Sequence, residues 1–120
     1  MIPQRVLVVE DEYLVAMDVE TSLQAMGVDT IDIATTLFQA KESLSRAKPD
    51  CVLLDVSLSD GMSYELARHL RDHSIPFGFV SGYGDTSGFP PDFANSHLLD
   101  KPFGEVELKA FVSRIMAVES

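Results

Sequence analysis

Cysteine occurs once in this sequence, at Cys51, inside an apolar run. No intrachain disulfide can form, so the residue reads as a small core side chain in a reducing compartment. Cations are scarce as well: nine Lys and Arg stand against nineteen Asp and Glu, a net charge of −10. Nucleic acid and anionic lipid both need a cationic face that displaces counterions, so neither is expected as a direct partner. A protein or a cation fits better. No charged leader with an apolar stretch behind it opens the chain, and no apolar run approaches the length that crosses a bilayer. A soluble, cytoplasmic protein without a membrane partner is expected. Repeats, linkers and low-complexity tracts are missing too. The 120 residues, 46% of them hydrophobic, are therefore expected to form one domain, 1–120, able to bury its own core.

What the chain does contain is alternation. RVLVV (5–9), TIDIA (30–34), CVLLD (51–55), PFGFV (76–80) and HLL (97–99) are short, rich in Val, Leu, Ile and Phe, and bounded by polar or turn residues. This is the pattern of strands buried on both faces. Between them lie amphipathic stretches. Tyr13 to Met26 predicts a helix with Leu14, Met17, Leu23 and Met26 near one stripe and Gly27 at its C-terminal cap. Thr36 is placed to cap a second helix carrying Ala40, Leu44 and Ala47, closed by Pro49. Ser63 is placed to cap a third that runs to about His73. Val106, Leu108, Phe111, Val112 and Ile115 mark the buried face of the last. Strands alternating with helices imply right-handed crossovers and an α/β fold, a doubly wound five-stranded parallel sheet. One connection breaks the rule. SGYGDTSGFPPDFANS (81–96) has three glycines, two adjacent prolines and little apolar periodicity, so the helix between strands four and five is expected to be absent or shortened, leaving 83–96 mobile.

In such a sheet, residues just beyond the carboxyl ends of different strands converge. Glu10 and Asp11 follow the first strand with Glu12 beyond, Asp55 ends the third, Ser81 follows the fourth, and Lys101 with Pro102 follows the fifth. Singly, each acid has a bland use as a helix cap or turn residue, Ser81 as a partner for backbone and Lys101 as a solvated cation. Jointly, close carboxylates repel one another unless a cation offsets them, and oxygen ligands of this kind suit Mg²⁺. With its charge masked, Asp55 becomes a nucleophile toward a phosphoryl group, and Ser81 and Lys101 can cover the oxygens of the transferred group.

VLVVEDE, LLDVSL, FVSGYG and DKPF, in this order, resemble the receiver domain of two-component response regulators, and the resemblance covers essentially the whole chain. It implies a flavodoxin-like sheet of the receiver type. It makes Asp55 the phosphoacceptor, with Ser81 and Lys101 beside it. Glu10, Asp11, Asp55 and Ser57, the last through its backbone carbonyl, become the Mg²⁺ site, with no other cofactor. Ser81 is implied as the switch hydroxyl, and Pro102 as a cis-bonded proline after the lysine. The implied role is that of a response regulator in a phosphorelay: a phosphoprotein switch, not an enzyme, loaded by a histidine kinase or a histidine phosphotransfer protein and reset by hydrolysis. No output module is expected after the last helix, so the output should be protein contact or onward phosphoryl transfer.

Three positions depart from the family pattern. Glu10 replaces the usual aspartate, Ser59 stands where many receivers have proline and is expected to loosen the loop, and Leu98 occupies the place of the aromatic that usually turns inward. PFGFVSGYG instead resembles the PFxFATGYG signature of the FAT GUY subfamily, associated with HWE histidine kinases, in which Tyr83 is the candidate switch aromatic. An aromatic lid packed on the loop is the alternative for Tyr83. A flavodoxin-like electron carrier would need a Ser/Thr/Gly-rich loop where EDEYLV stands. An aspartyl phosphatase would need its nucleophile after the first strand. A pseudo-receiver that only binds proteins, without phosphoryl turnover, remains the alternative function. His69 and His73 lie four apart on the third helix, and without a third ligand they read as part of a solvated face.

Overall fold

The structure, a computed structural model, describes residues 2–82 and 88–118. The strands β1 (Arg5–Val9), β2 (Thr30–Ala34), β3 (Cys51–Asp55), β6 (Phe77–Ser81) and β7 (Leu98–Asp100) form one sheet in the order β2-β1-β3-β6-β7, and every pairing in it is parallel. Between β3 and β6 a two-residue ribbon, β4 (Ser57–Leu58) and β5 (Gly61–Met62), pairs antiparallel outside that sheet. The helices are α1 (Tyr13–Met26), α2 (Leu37–Arg46), α3 (Tyr64–Asp72) and α4 (Glu105–Val118). Successive strand residues point to opposite faces, which splits the core in two. Leu7, Val9, Leu54 and Phe79 pack with Ala40 of α2 and Leu66 and Leu70 of α3. Val6, Val8, Cys51 and Leu53 pack with Val19 and Leu23 of α1 and Leu108, Phe111 and Ile115 of α4. Burying a side chain of this size contributes about 1.5–3 kcal/mol, so both faces must be covered for the sheet to persist.

The helix ends follow local chemistry. Gly27 takes φ 98 at the end of α1, and the amides of Gly27 and Val28 reach the carbonyls of Gln24 and Leu23. A side chain would be strained at that φ, which is why a glycine stands there. Thr36 accepts the Gln39 amide at 3.0 Å as the α2 cap. Ser63 departs from expectation. It sits at the start of α3, but its hydroxyl donates to the Val56 carbonyl at 3.1 Å and makes no cap bond.

Helix faces are shifted from the sequence pattern in two places. Leu14 and Met17 are exposed on α1, whose buried residues are Ala16, Val19 and Leu23. Val106 is 80% exposed in the first turn of α4. Apolar character alone misleads here because a helix buries only the stripe its neighbours can cover. The fourth and fifth sheet strands each begin one residue later than the periodicity suggests, which makes Ser81 the last residue of β6.

Between β6 and β7, the described residues contain one helical element, the single 3-10 turn Pro91–Phe93, in keeping with a missing or shortened helix. Of the stretch 83–96 expected to be mobile, residues 88–96 are docked, and 83–87 lie outside the described residues. Phe93 is 2% exposed and packs on Tyr64, Phe77 and Phe79, while Phe89 packs edge-on against Tyr64 and Phe79. Asp92 accepts from Arg68 Nε at 3.0 Å and Arg71 Nη1 at 3.1 Å, tying the turn to α3. Two neighbouring prolines and few apolar repeats forbid a long helix, yet two phenylalanines suffice to anchor a turn.

Candidate functional site

The parallel sheet delivers four chain segments to one edge. Asp55 is the last residue of β3, opposite Val80 in the β6 register, and Ser81 pairs with Asp100 at the end of β7. Glu10 directly follows β1, and its amide extends the ladder to the Ala34 carbonyl at 2.9 Å. Lys101 directly follows β7, with its amide on the Ser81 carbonyl at 2.9 Å. The peptide between Lys101 and Pro102 is cis.

Carboxylate oxygens of Glu10, Asp11 and Asp55 lie within 4.8 Å of one another. Glu10 and Asp55 are buried, at 3% and 8% exposure, whereas Asp11 faces solvent. The Lys101 ammonium reaches into this group, 2.8 Å from Glu10 Oε1, 3.2 Å from Glu12 Oε1 and 3.4 Å from Asp55 Oδ2. Burial first, then the Glu10 charge and a hydrogen bond shared with Glu10, push the Asp55 carboxyl up to about 7 against the opposing pull of Lys101. Burial alone would depress the Lys101 ammonium. The hydrogen bond to Glu10 and the Asp55 and Glu10 charges outweigh it and hold the lysine above its ordinary range. Two buried carboxylates and one partly buried ammonium leave net negative charge on hard oxygen donors, which is the donor chemistry Mg²⁺ takes.

The segment after Asp55 is tied down rather than loosened by Ser59. Ser57 pairs with Met62 and Leu58 with Gly61, Leu58 is buried, and Asp60 at the turn accepts the amides of Leu37 and Phe38 at 2.9 and 3.3 Å. Ser57 itself is exposed at the start of this ribbon. Ser81 is 2% exposed at the end of β6. Leu98, in the place of the usual aromatic, is half-buried and packs against the core on the α2 and α3 side of the sheet. Tyr83 lies outside the described residues. Sequence reasoning gave no role to two acids, Glu12 on Lys101 and Asp60 on α2. Glu12 was visible only as a third acid after the pair Glu10 and Asp11. Asp60 had no signal, because its partners lie 23 and 22 residues away.

The model of the response regulator receiver domain matches residues 6–113. The chain belongs to this family. Receiver domains hold Mg²⁺ in an acidic pocket, and Glu10, Asp11 and Asp55 form such a group here. The phyllosphere-induced regulator PhyR of Methylorubrum extorquens is 32% identical over 116 residues, which are 92% of this chain and 43% of that protein. The response regulator PhyR from Brucella abortus superposes with a TM-score of 0.85 at 30% identity, over 99% of this chain and 49% of that one. SdrG from Sphingomonas melonis superposes with a TM-score of 0.83 at 28% identity, over 97% of this receiver and 98% of SdrG. The receiver spans about half the length of the curated relatives it matches. Among the described residues no helix is long and apolar enough to cross a membrane.

Cys51 belongs to the core. It is fully buried, and burial first, then the neighbouring Asp50 charge, push its thiol up to about 12, so it is not a nucleophile. The rings of His69 and His73 lie 4.1 Å apart between centroids, tilted by 32°, with His73 Nδ1 2.9 Å from the His69 carbonyl. Among the described residues they belong to no cluster of three metal-ligating side chains.

Proposed function

We propose that this receiver is a cytoplasmic single-domain response regulator that takes a phosphoryl group onto Asp55 in a Mg²⁺-dependent reaction and signals by a change of conformation. The donor would be a histidine kinase, of HWE type given the PFGFVSGYG signature, or a histidine phosphotransfer protein. The observation that carries the reading is the placement of Asp55 at the end of β3, grouped with Glu10 and Asp11 and 3.4 Å from Lys101 Nζ.

Glu10, Asp11, Asp55 and the Ser57 backbone carbonyl would hold Mg²⁺, which when bound offsets carboxylate charge and orients the oxygens of the transferred group. An Asp55 carboxylate oxygen bonds to phosphorus while the P–N bond of the donor phosphohistidine breaks and the imidazole keeps the electron pair. Lys101 exchanges a carboxylate contact for a phosphoryl oxygen, and the Ser81 hydroxyl donates to another. Resetting reverses the chemistry with water: its oxygen bonds to phosphorus, the Asp55 O–P bond breaks, and the carboxylate returns. The chain is then a switch acting on its partners rather than an enzyme. Tyr83, two residues from Ser81, is the proposed aromatic that follows the switch hydroxyl.

The test is incubation with acetyl phosphate and Mg²⁺ followed by intact mass. A phosphoryl increment on the wild type, absent in Asp55→Asn, is expected. A wild type that stays unmodified with acetyl phosphate and with phosphohistidine donors would leave a protein-binding pseudo-receiver.

A further inference from the structure

Three amides at the start of α2 have no partner within the helix, and the structure covers them from two different places. Thr36 accepts the Gln39 amide from the chain just before the helix. Asp60 accepts the amides of Leu37 and Phe38 from the turn of the ribbon β4–β5, at 2.9 and 3.3 Å. Such orphan donors are strongly satisfied by a carboxylate, which also lies at the positive end of the helix dipole. Those backbone bonds, chiefly the one from Leu37, hold the Asp60 carboxyl below its usual range. What is unusual is the direction of the tether: the capping group belongs to the segment that immediately follows Asp55.

That segment has few other fixed points among the described residues. Val56 is held at its amide by the Val80 carbonyl at 3.2 Å, and its carbonyl accepts the Ser63 amide and hydroxyl at 3.0 and 3.1 Å. Among the described residues, the ribbon from Ser57 to Met62 is held by its two residue pairs and the buried Leu58 side chain before the turn at Asp60. Ser59 supplies no ring to stiffen that turn, and Gly61 at φ 140 adds freedom. A two-residue ribbon has little stability by itself. The bonds from Asp60 to α2 therefore set where the Ser57 backbone can stand.

We propose that Asp60 is a positioning residue for the phosphoacceptor site: by clamping the ribbon to the N-terminus of α2 it fixes the Ser57 carbonyl, one of the oxygens that would hold a divalent cation. This rests on the reading of Asp55 as a Mg²⁺-dependent phosphoacceptor and adds a residue that touches neither the metal nor the phosphoryl group.

The experiment compares Asp60→Ala with Thr36→Ala. Both remove a cap from the same helix end, but only the first frees the ribbon. Mg²⁺ affinity is read by titration calorimetry without any phosphodonor, and the phosphorylation rate with acetyl phosphate is read by intact mass. Asp60→Ala should weaken Mg²⁺ binding about three- to tenfold and slow phosphorylation to a similar degree, whereas Thr36→Ala should lower the melting temperature and leave both within twofold of wild type. Asp60→Asn keeps an acceptor oxygen and should restore both. Asp60→Ser, with a shorter acceptor, gives an intermediate value and serves if the alanine variant folds poorly. Equal Mg²⁺ affinities in Asp60→Ala and Thr36→Ala would overturn the proposal. A wild type that binds Mg²⁺ yet takes no phosphoryl group would instead overturn the phosphoacceptor reading while the affinity comparison still stands.

Discussion

Lys101 holds together a group that would otherwise repel itself. Its ammonium contacts Glu10, Glu12 and Asp55, and the first and last of these carboxylates are buried. Removing it leaves buried charge without compensation, so Lys101→Ala should fold with a loss of about 1–3 kcal/mol in metal-free buffer. Mg²⁺ should return part of that loss, and kinase-dependent output should fall. Urea unfolding with and without Mg²⁺ checks the first statements, and wild-type output from the variant would make the lysine structural only. Asp55 gives the opposite sign. Its folded pKa of about 7 exceeds the 3.8 of an ordinary aspartate, so its favourable share of stability is complete below the lower value and lost as pH rises through the upper. In EDTA at pH 8, Asp55→Asn should therefore be more stable than wild type by about 1–3 kcal/mol, and the difference should close below about pH 4. A gain that is the same at both pH values would mean that the carboxyl charge is not the cause.

Among the elements, β6 and the turn after it show how the sheet is closed near the site. Gly78 on β6 lies under α4, where an added Cβ would run into the Phe111 ring and Ile115. Gly78→Ala should cost about 1–3 kcal/mol because neither neighbour can withdraw from a packed core. Phe93 is the anchor of the segment between β6 and β7, stacked on Tyr64 and covered by the guanidinium groups of Arg68 and Arg71 at 5.4 Å each. Phe93→Ala should cost about 3–5 kcal/mol and free the amides of residues 89–96 to exchange. Asp92→Ala breaks only exposed ion pairs and should leave most of that protection in place. Equal loss of protection in both variants would show that the ionic contacts, not the ring, hold the turn. This division was half legible in the sequence. Glycines and prolines announced that a regular helix would be missing, but Phe89 and Phe93, four residues apart across two prolines, gave no sign that they would meet Tyr64 and Phe79.

At the scale of the molecule, ten excess negative charges and an acidic group at one sheet edge would couple the proposed metal binding to folding. Mg²⁺ at about ten times its dissociation constant should stabilise the native state by about 1.4 kcal/mol, provided it does not bind the unfolded chain. Asp11→Ala should remove most of the accompanying rise in melting temperature, and an equal rise in both proteins would take the metal out of the site. The sequence by itself determined the order of strands and helices, the burial of Cys51, and the arrival of Glu10, Asp11, Asp55, Ser81 and Lys101 at one edge. Each of these follows from local periodicity and from the rule that parallel strands bring their carboxyl ends together, neither of which depends on side-chain detail. The tertiary structure decided which face of α1 stays covered, that Ser63 serves Val56 rather than its own helix, and that Glu12 closes on Lys101. It also decided that Asp60 caps a helix 23 residues earlier in the chain. These contacts join residues far apart in sequence, and their partners are chosen by register and packing once the sheet has formed, so no pattern among near neighbours can announce them.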